Sequence, residues 1–218
     1  VFSMSEGSDG VRLKLNALLN EAGLDPLDPA MLIRFQDYLS LLLRWNARVN
    51  LTAIRDEDGI LSRHFVESIA CAGALPHGIA TLLDFGSGAG FPGIPIALCR
   101  PEIAVTLAES QGKKAAFLQE AVRVLGISAT IYPHRAESLT AQFDCVTLRA
   151  VDRMPQAVEA AARLVAPGGW LAVMTSHAGL ASIQASAGGS FCWEAESPLP
   201  GGDARLLAVG KQAISSPA

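Results

Sequence analysis

The chain has 218 residues, half of them hydrophobic and 17% charged, with 17 Lys and Arg against 21 Asp and Glu for a net charge of −4. That length and composition bury one good-sized core and exclude a disordered polymer. No run of about 18 unbroken apolar residues offers a membrane span. The opening Val1-Phe2-Ser3-Met4-Ser5 lacks a basic-then-apolar leader pattern; Met4 is taken as the start, and the scattered cysteines make a reducing cytoplasm the expected compartment.

The first eighty residues read as helices. Val11 to Ala22 is periodic and stops at Gly23, and after Asp25-Pro26 and Asp28-Pro29 a second pattern runs from about Ala30 to Asn46. Its apolar members Leu32, Phe35, Leu39, Leu42 and Leu43 fall at helical spacing. Asp56 to Ala74 reads as a third helix, capped by Asp56 and closed near Pro76. Then the period changes. Strand candidates are Ile79 to Asp84, Ile103 to Leu107, Ser128 to Tyr132, Phe143 to Leu148 and Trp170 to Met174, separated by helical stretches Gly93 to Cys99, Gly112 to Leu125 and Met154 to Val165. Such alternation predicts an α/β fold with a parallel sheet covered on both faces. Ser182 to Ser190, small and glycine-rich, is the one stretch expected to be weakly ordered, and Phe191 to Glu196 and Ala204 to Val209 read as a last strand pair joined by a Pro198-to-Gly202 turn. Two domain segments follow: a helical extension over 1–76 and a ligand-binding domain over 77–218.

The four cysteines Cys71, Cys99, Cys145 and Cys192 are scattered without a CxxC pair. They predict neither a metal site nor a disulfide framework, and Cys145, inside an apolar run, reads as buried and structural.

The central signal is Leu83-Asp84-Phe85-Gly86-Ser87-Gly88-Ala89-Gly90-Phe91-Pro92-Gly93. Its glycines allow a tight strand-to-helix turn and close backbone approach by a ligand, and Glu109 after the next strand can hold a pair of ribose hydroxyls. Gly88-x-Gly90-x-x-Gly93 also matches a dinucleotide fingerprint literally, but its first glycine lies late after the strand. A carboxylate at Asp84 would stand near a pyrophosphate, where like charges repel. S-adenosylmethionine carries a sulfonium and an amino group and no phosphate, so it suits this loop better; Asp84, Gly88 and Glu109 are candidate cofactor residues on that ground. A nicotinamide enzyme remains the competing reading. The turn Pro167-Gly168-Gly169-Trp170, frequent in Rossmann-like methyltransferases, favours the first.

Most of the sequence resembles the RsmG (GidB) family of bacterial methyltransferases that act on guanine N7 of 16S ribosomal RNA. The resemblance is carried by Trp45-Asn46, Asn50-Leu51-Thr52-Ala53-Ile54-Arg55, Arg63-His64, the loop from Gly86 to Pro95, Glu109-Ser110 with Lys113-Lys114, Arg135-Ala136-Glu137 and Leu148-Arg149-Ala150-Val151. It implies a Rossmann-like class I methyltransferase with a seven-stranded, mostly parallel sheet and an N-terminal helical extension. It implies S-adenosylmethionine contacts at Gly86, Phe91, Ala136, Glu137 and Arg149, and a partner that is 16S ribosomal RNA or the small ribosomal subunit rather than DNA or a membrane. A monomer is expected. One departure stands out: the family's lysine-glycine segment after the Trp170-to-Met174 strand is replaced by Thr175-Ser176-His177-Ala178-Gly179, with His177 as the partial substitute.

Guanine N7 has a free lone pair at neutral pH, so the reaction needs orientation and water exclusion but no dedicated base. Arg149, after a strand at the ligand-binding edge, is the candidate beside the reacting centre, able to donate to guanine O6 or a phosphate. A structural ion pair with Asp152 or Glu137 is its competing reading. Arg63, His64, Lys113 and Arg135 are the candidate RNA contacts; Tyr38 and Trp45 can stack on a base but fall at core-packing spacing. A methyltransferase for another RNA, a protein or a small molecule is the alternative function.

Overall fold

A computed structural model describes residues 5–201 and 205–214 of the chain; Met4, Gly202 and Ala204 lie outside the described residues. Four α-helical pieces come first: α1 (Ser5–Glu21), α2 (Pro29–Asn46), α3 (Glu57–Ile60) and α4 (Glu67–Ala74). Asp28 caps α2 by accepting from Met31 N–H at 2.8 Å, with Pro29 at the start of the helix, where a missing N–H costs nothing. Asp56 caps α3 in the same way through Gly59 N–H at 2.7 Å. The expected third helix is not uniform. Its middle, Leu61–Val66, is a π-helical segment joining α3 to α4. A wide turn of this kind has no apolar periodicity of its own and frequently marks a functional site.

The sheet follows. Its strands are β1 (Thr81–Phe85), β2 (Ala104–Ala108), β3 (Ala129–Tyr132), β4 (Phe143–Arg149), β5 (Val165–Ser176), β6 (Phe191–Trp193), β7 (Ser197–Pro198) and β8 (Arg205–Gln212). They lie in the order β3-β2-β1-β4-β5-β8-β6, seven along the path, with the two-residue β7 paired to β8. β1 to β5 are parallel, and β8 runs antiparallel between β5 and β6. The order reverses at β1 and β4, so a crevice opens beyond the carboxyl ends of those strands.

Helices α5 (Gly93–Cys99), α6 (Gly112–Leu125), α7 (Met154–Ala162) and α8 (His177–Ala187) cover the faces. α5 and α6 keep the bounds that glycine signals predict, α6 ending on Gly126 in the left-handed region. Of the stretch Ser182 to Ser190, expected to be weakly ordered, Ser182 to Ala187 belong to α8 and Gly188 to Ser190 form the turn after it; Ser176 caps the helix by accepting from Gly179 N–H at 3.3 Å, and its alanines favour helix. The turn Pro167 to Gly169 is absorbed into β5 as a bulge, where the partner of β4 jumps from Val165 to Trp170. A Cβ on Gly169 would meet two backbone oxygens, Ala166 O and Asp144 O, at 2.8 Å, which explains the glycine.

One buried cluster joins Leu15, Phe35, Tyr38 and Phe65 of the first helices to Leu82, Leu107 and Cys145 on one sheet face. A second unites Leu83 and Val146 on the opposite face with Val158 of α7 and Ile183 of α8. The helices over 1–76 therefore share a core with the sheet rather than owning one.

Candidate functional site

The glycine loop leaves β1 at Phe85 and enters α5 at Gly93. Asp84 is buried, accepting from Gly93 N–H at 3.2 Å and from the Thr147 hydroxyl at 3.0 Å. Burial pushes its pKa up to about 6, against those hydrogen bonds and the Arg149 guanidinium. Gly93 is obligatory beside it, since a Cβ would fall 2.6 Å from Asp84 Oδ2. Asp84 thus ties the loop to the sheet and the helix start, and it does not line the cavity that the loop encloses. Glu109, at the end of β2, holds the same loop from the ligand side. Its carboxylate accepts from Gly88 N–H at 3.0 Å and Gln111 N–H at 2.7 Å, and each oxygen keeps a second lone pair for a ligand hydroxyl. From the other flank, Tyr38 of α2 donates to Ala89 O at 2.6 Å and packs on Phe65 and Phe91.

The loop floors a cavity of about 660 Å³. Gly86, Gly88, Phe91, Glu109, Ala136, Glu137, Arg149, His64 and Arg135 all line it. Of the remaining sequence-predicted residues, Arg63 faces a second cavity and Lys113 faces neither; its neighbour Lys114 takes the lining position. Ala136 is buried at the head of a short 3₁₀ turn, Ala136–Ser138, which leaves Glu137 exposed at the rim. The Glu109 carboxylate suits a ribose diol, and the Ala136–Glu137 turn offers acceptors to an exocyclic amine.

The second cavity, about 710 Å³, adjoins the first along Ile54, His64, Arg149, Ala150 and Val151. Ala150 takes φ +49°, an unusual value for alanine, directly after β4 and between the two spaces. His64 stacks on Phe91 at 4.6 Å and pairs with the Thr52 hydroxyl at 2.7 Å. Burial, then the Arg149 charge, lowers its pKa to about 3, so this imidazole is neutral at physiological pH. It is no cation for a phosphate.

Arg149 sits at the carboxyl end of β4. It donates to Arg63 O at 2.6 Å, a carbonyl of the π-helical segment, and to Glu67 Oε2 at 2.9 Å. The expected ion-pair partners Asp152 and Glu137 are not used; the partner is Glu67, which sequence reasoning passed over. Glu67 also faces Arg205 of β8. Arg205 pairs with Ser176 in register, which puts a guanidinium at the end of β5 from the neighbouring strand. His177, the candidate substitute, is exposed, lies 3.1 Å from Glu196 and lines neither cavity. Only the antiparallel register reveals Arg205, and one sequence does not print it. Trp45 donates to Glu120 at 2.8 Å and is held within the fold rather than presented to a base. Cys145 is buried, and its thiol is pushed far above its usual pKa by burial.

Comparison with known proteins follows the same lines. The GidB family model, described as rRNA small subunit methyltransferase G, matches residues 31–187. Ribosomal RNA small subunit methyltransferase G of Roseiflexus sp. (strain RS-1) is 44% identical over 155 residues, covering 66% of this chain and 66% of that protein. The protein of the same name from Xanthomonas euvesicatoria pv. vesicatoria (strain 85-10) is 43% identical over 159 residues, covering 72% and 73%. Among solved structures, a SAM-dependent O-methyltransferase from Thermotoga maritima superposes with a TM-score of 0.57 at 14% identity, over 70% of this chain and 66% of that one. The last likeness shows the class I methyltransferase fold.

Proposed function

Because the chain belongs to the GidB family of rRNA small subunit methyltransferases, we propose that it transfers a methyl group from S-adenosylmethionine to N7 of a guanine in 16S ribosomal RNA, leaving 7-methylguanosine. The observation that carries the reading is two cavities meeting at Arg149 and His64, one floored by the glycine loop and one open beside it. When bound, S-adenosylmethionine supplies an electrophilic methyl carbon on a sulfonium. The protein's own part is placement. Glu109 would hold the ribose, Gly86 and Gly88 would let the backbone approach, Phe91 and the Ala136–Glu137 turn would flank the adenosine, and Arg149, held by Glu67 and Arg63 O, would stand beside the acceptor. The neutral His64 closes the junction against water without adding charge. No group is needed to remove a proton, and none of the junction residues is poised to do so: His64 stays neutral and weakly basic.

Arg63, Arg135 and Lys114 at the rim serve the RNA partner, with Lys113 on the adjoining surface. The enzyme works as a monomer in the cytoplasm, with residues 1–76 as an extension packed on the methyltransferase domain 77–218. No helix among the described residues is long and apolar enough to cross a membrane.

The cofactor half of the reading is tested by thermal melting with S-adenosylhomocysteine and with NAD. A rise in melting temperature with the first alone is expected; a rise with NAD alone would return the site to the dinucleotide reading.

A further inference from the structure

The wall of the second cavity carries a buried carboxylate between two guanidiniums. Glu67 is 1% exposed, its Oε2 lies 2.9 Å from Arg149 Nη2, and its Oε1 faces the Arg205 guanidinium. The three come from different elements: α4, the end of β4 and the start of β8. Both arginines line the cavity, and Arg149 is further held by Arg63 O at 2.6 Å and Ser68 Oγ at 3.5 Å. A buried ion triad is a poor source of stability, because desolvation offsets most of the attraction. Its retention on a cavity wall points to placement of the two guanidiniums.

The acceptor chemistry explains what such placement achieves. On methyl transfer the carbon–sulfur bond breaks with its electron pair staying on sulfur, and the N7 lone pair forms the new bond. No proton moves. Positive charge therefore leaves the sulfonium and arrives on the purine. Two uncompensated guanidiniums beside that purine would oppose the change, whereas donors aimed at O6 are needed to select guanine. Adenine carries an amino group there, a donor facing donors. A carboxylate between the arginines meets both demands: it fixes their direction and offsets one of the three guanidinium charges, Arg63, Arg149 and Arg205, that line the cavity.

We propose that Glu67 is a positioning residue for the acceptor base, acting through Arg149 and Arg205 to admit guanine and to limit positive charge where the purine becomes cationic. This rests on the reading of the second cavity as the acceptor site. Burial raises the Glu67 pKa, while Arg149 and Arg205 favour its charged form.

The test is steady-state methyl transfer to unmodified small-subunit particles by the wild type, Glu67→Gln, Glu67→Asp and Arg205→Gln, with melting in S-adenosylhomocysteine as the check on fold and cofactor site. Glu67→Gln is expected to lose about 100-fold in kcat while KM for S-adenosylmethionine stays within about twofold. Glu67→Asp is expected to recover about a tenth of the wild-type kcat or more, since it keeps the charge. Should Glu67→Gln fail to fold, Arg205→Gln decides: it leaves the Glu67–Arg149 pair neutral and is expected to raise KM for the particle about tenfold with kcat within about threefold. Wild-type kcat in Glu67→Gln, a defect confined to cofactor KM, or an unchanged particle KM in Arg205→Gln would overturn the proposal. A wild type that places no label on guanine N7 would remove the reading beneath it, and is told apart because it precedes any variant.

Discussion

At His64 and Asp84, folding shifts two titrations in opposite senses. The imidazole falls from 6.5 to about 3 through burial, then the Arg149 charge. Below pH 6.5 the unfolded chain takes up that proton and the native state does not, so this contribution to stability is present above 6.5 and is lost as pH falls toward 3. Asp84 rises from 3.8 to about 6 through burial. Between 6 and 3.8 the native state binds the extra proton, so stability from this group grows as pH falls. With these pKa values, acidification from pH 7 to 5 costs about 2 kcal/mol at His64. His64→Phe should remove that loss. Denaturant unfolding at both pH values measures it: the variant is expected to lose about 2 kcal/mol less than the wild type over the interval, and an equal loss would contradict a neutral buried imidazole. Asp84→Ala is a separate case. It orphans the buried Gly93 N–H and leaves the Thr147 hydroxyl only its longer contact to Leu83 O at 3.4 Å. A loss of about 2–4 kcal/mol at neutral pH is expected in the same assay.

The elements argue for a single body. Tyr38 reaches from α2 to Ala89 in the glycine loop, and Leu15, Phe35 and Phe65 share one buried cluster with the sheet residues Leu82 and Leu107. Deleting residues 1–76 would uncover that sheet face. The fragment 77–218 is expected to be insoluble or to melt without cooperativity, whereas Tyr38→Phe is expected to fold and to weaken S-adenosylhomocysteine binding about threefold to tenfold by calorimetry, through the loosened loop. Cooperative melting of the fragment would show the helices to be an appendage. The elements that sequence alone predicted well are those with local signals. Gly93 and Gly126 punctuate α5 and α6, and the glycine loop announces itself between an acid-ended strand and a helix. Two things escaped it. The π-helical segment depends on packing rather than on periodicity, and α8 was hidden by the small residues that normally mark a loop. Gly86, Gly88, Phe91, Glu109, Ala136, Glu137 and Arg149 come together on one cavity lining because loop and strand-end positions, readable in the sequence, converge on the crevice. The meeting of Glu67 with Arg205 was not readable, because it requires the pairing of β8 with β5 and the approach of the first residue of α4 to the start of β8. Asp84 was named for a ligand and instead holds the loop.

For the whole molecule, a net charge of −4 gives no general attraction to RNA. On the proposed reading, binding rests on local cations: Arg63 and Arg135 line the cavities and are exposed, and Lys113 is exposed next to the lining residue Lys114. The paired change Lys113→Glu with Arg135→Glu is expected to weaken particle binding about tenfold at roughly 50 mM salt, with the difference shrinking toward roughly 200 mM as screening replaces it. A salt-independent loss would place the effect in folding rather than in phosphate contact.

The most direct measurement incubates the protein with methyl-labelled S-adenosylmethionine and small-subunit particles from cells lacking the modification, then digests the RNA and identifies the labelled nucleoside. Label in 7-methylguanosine at one site of 16S ribosomal RNA is the predicted result. Label in another nucleoside, or none in RNA while S-adenosylmethionine still binds, would contradict the assignment of guanine N7 to the second cavity.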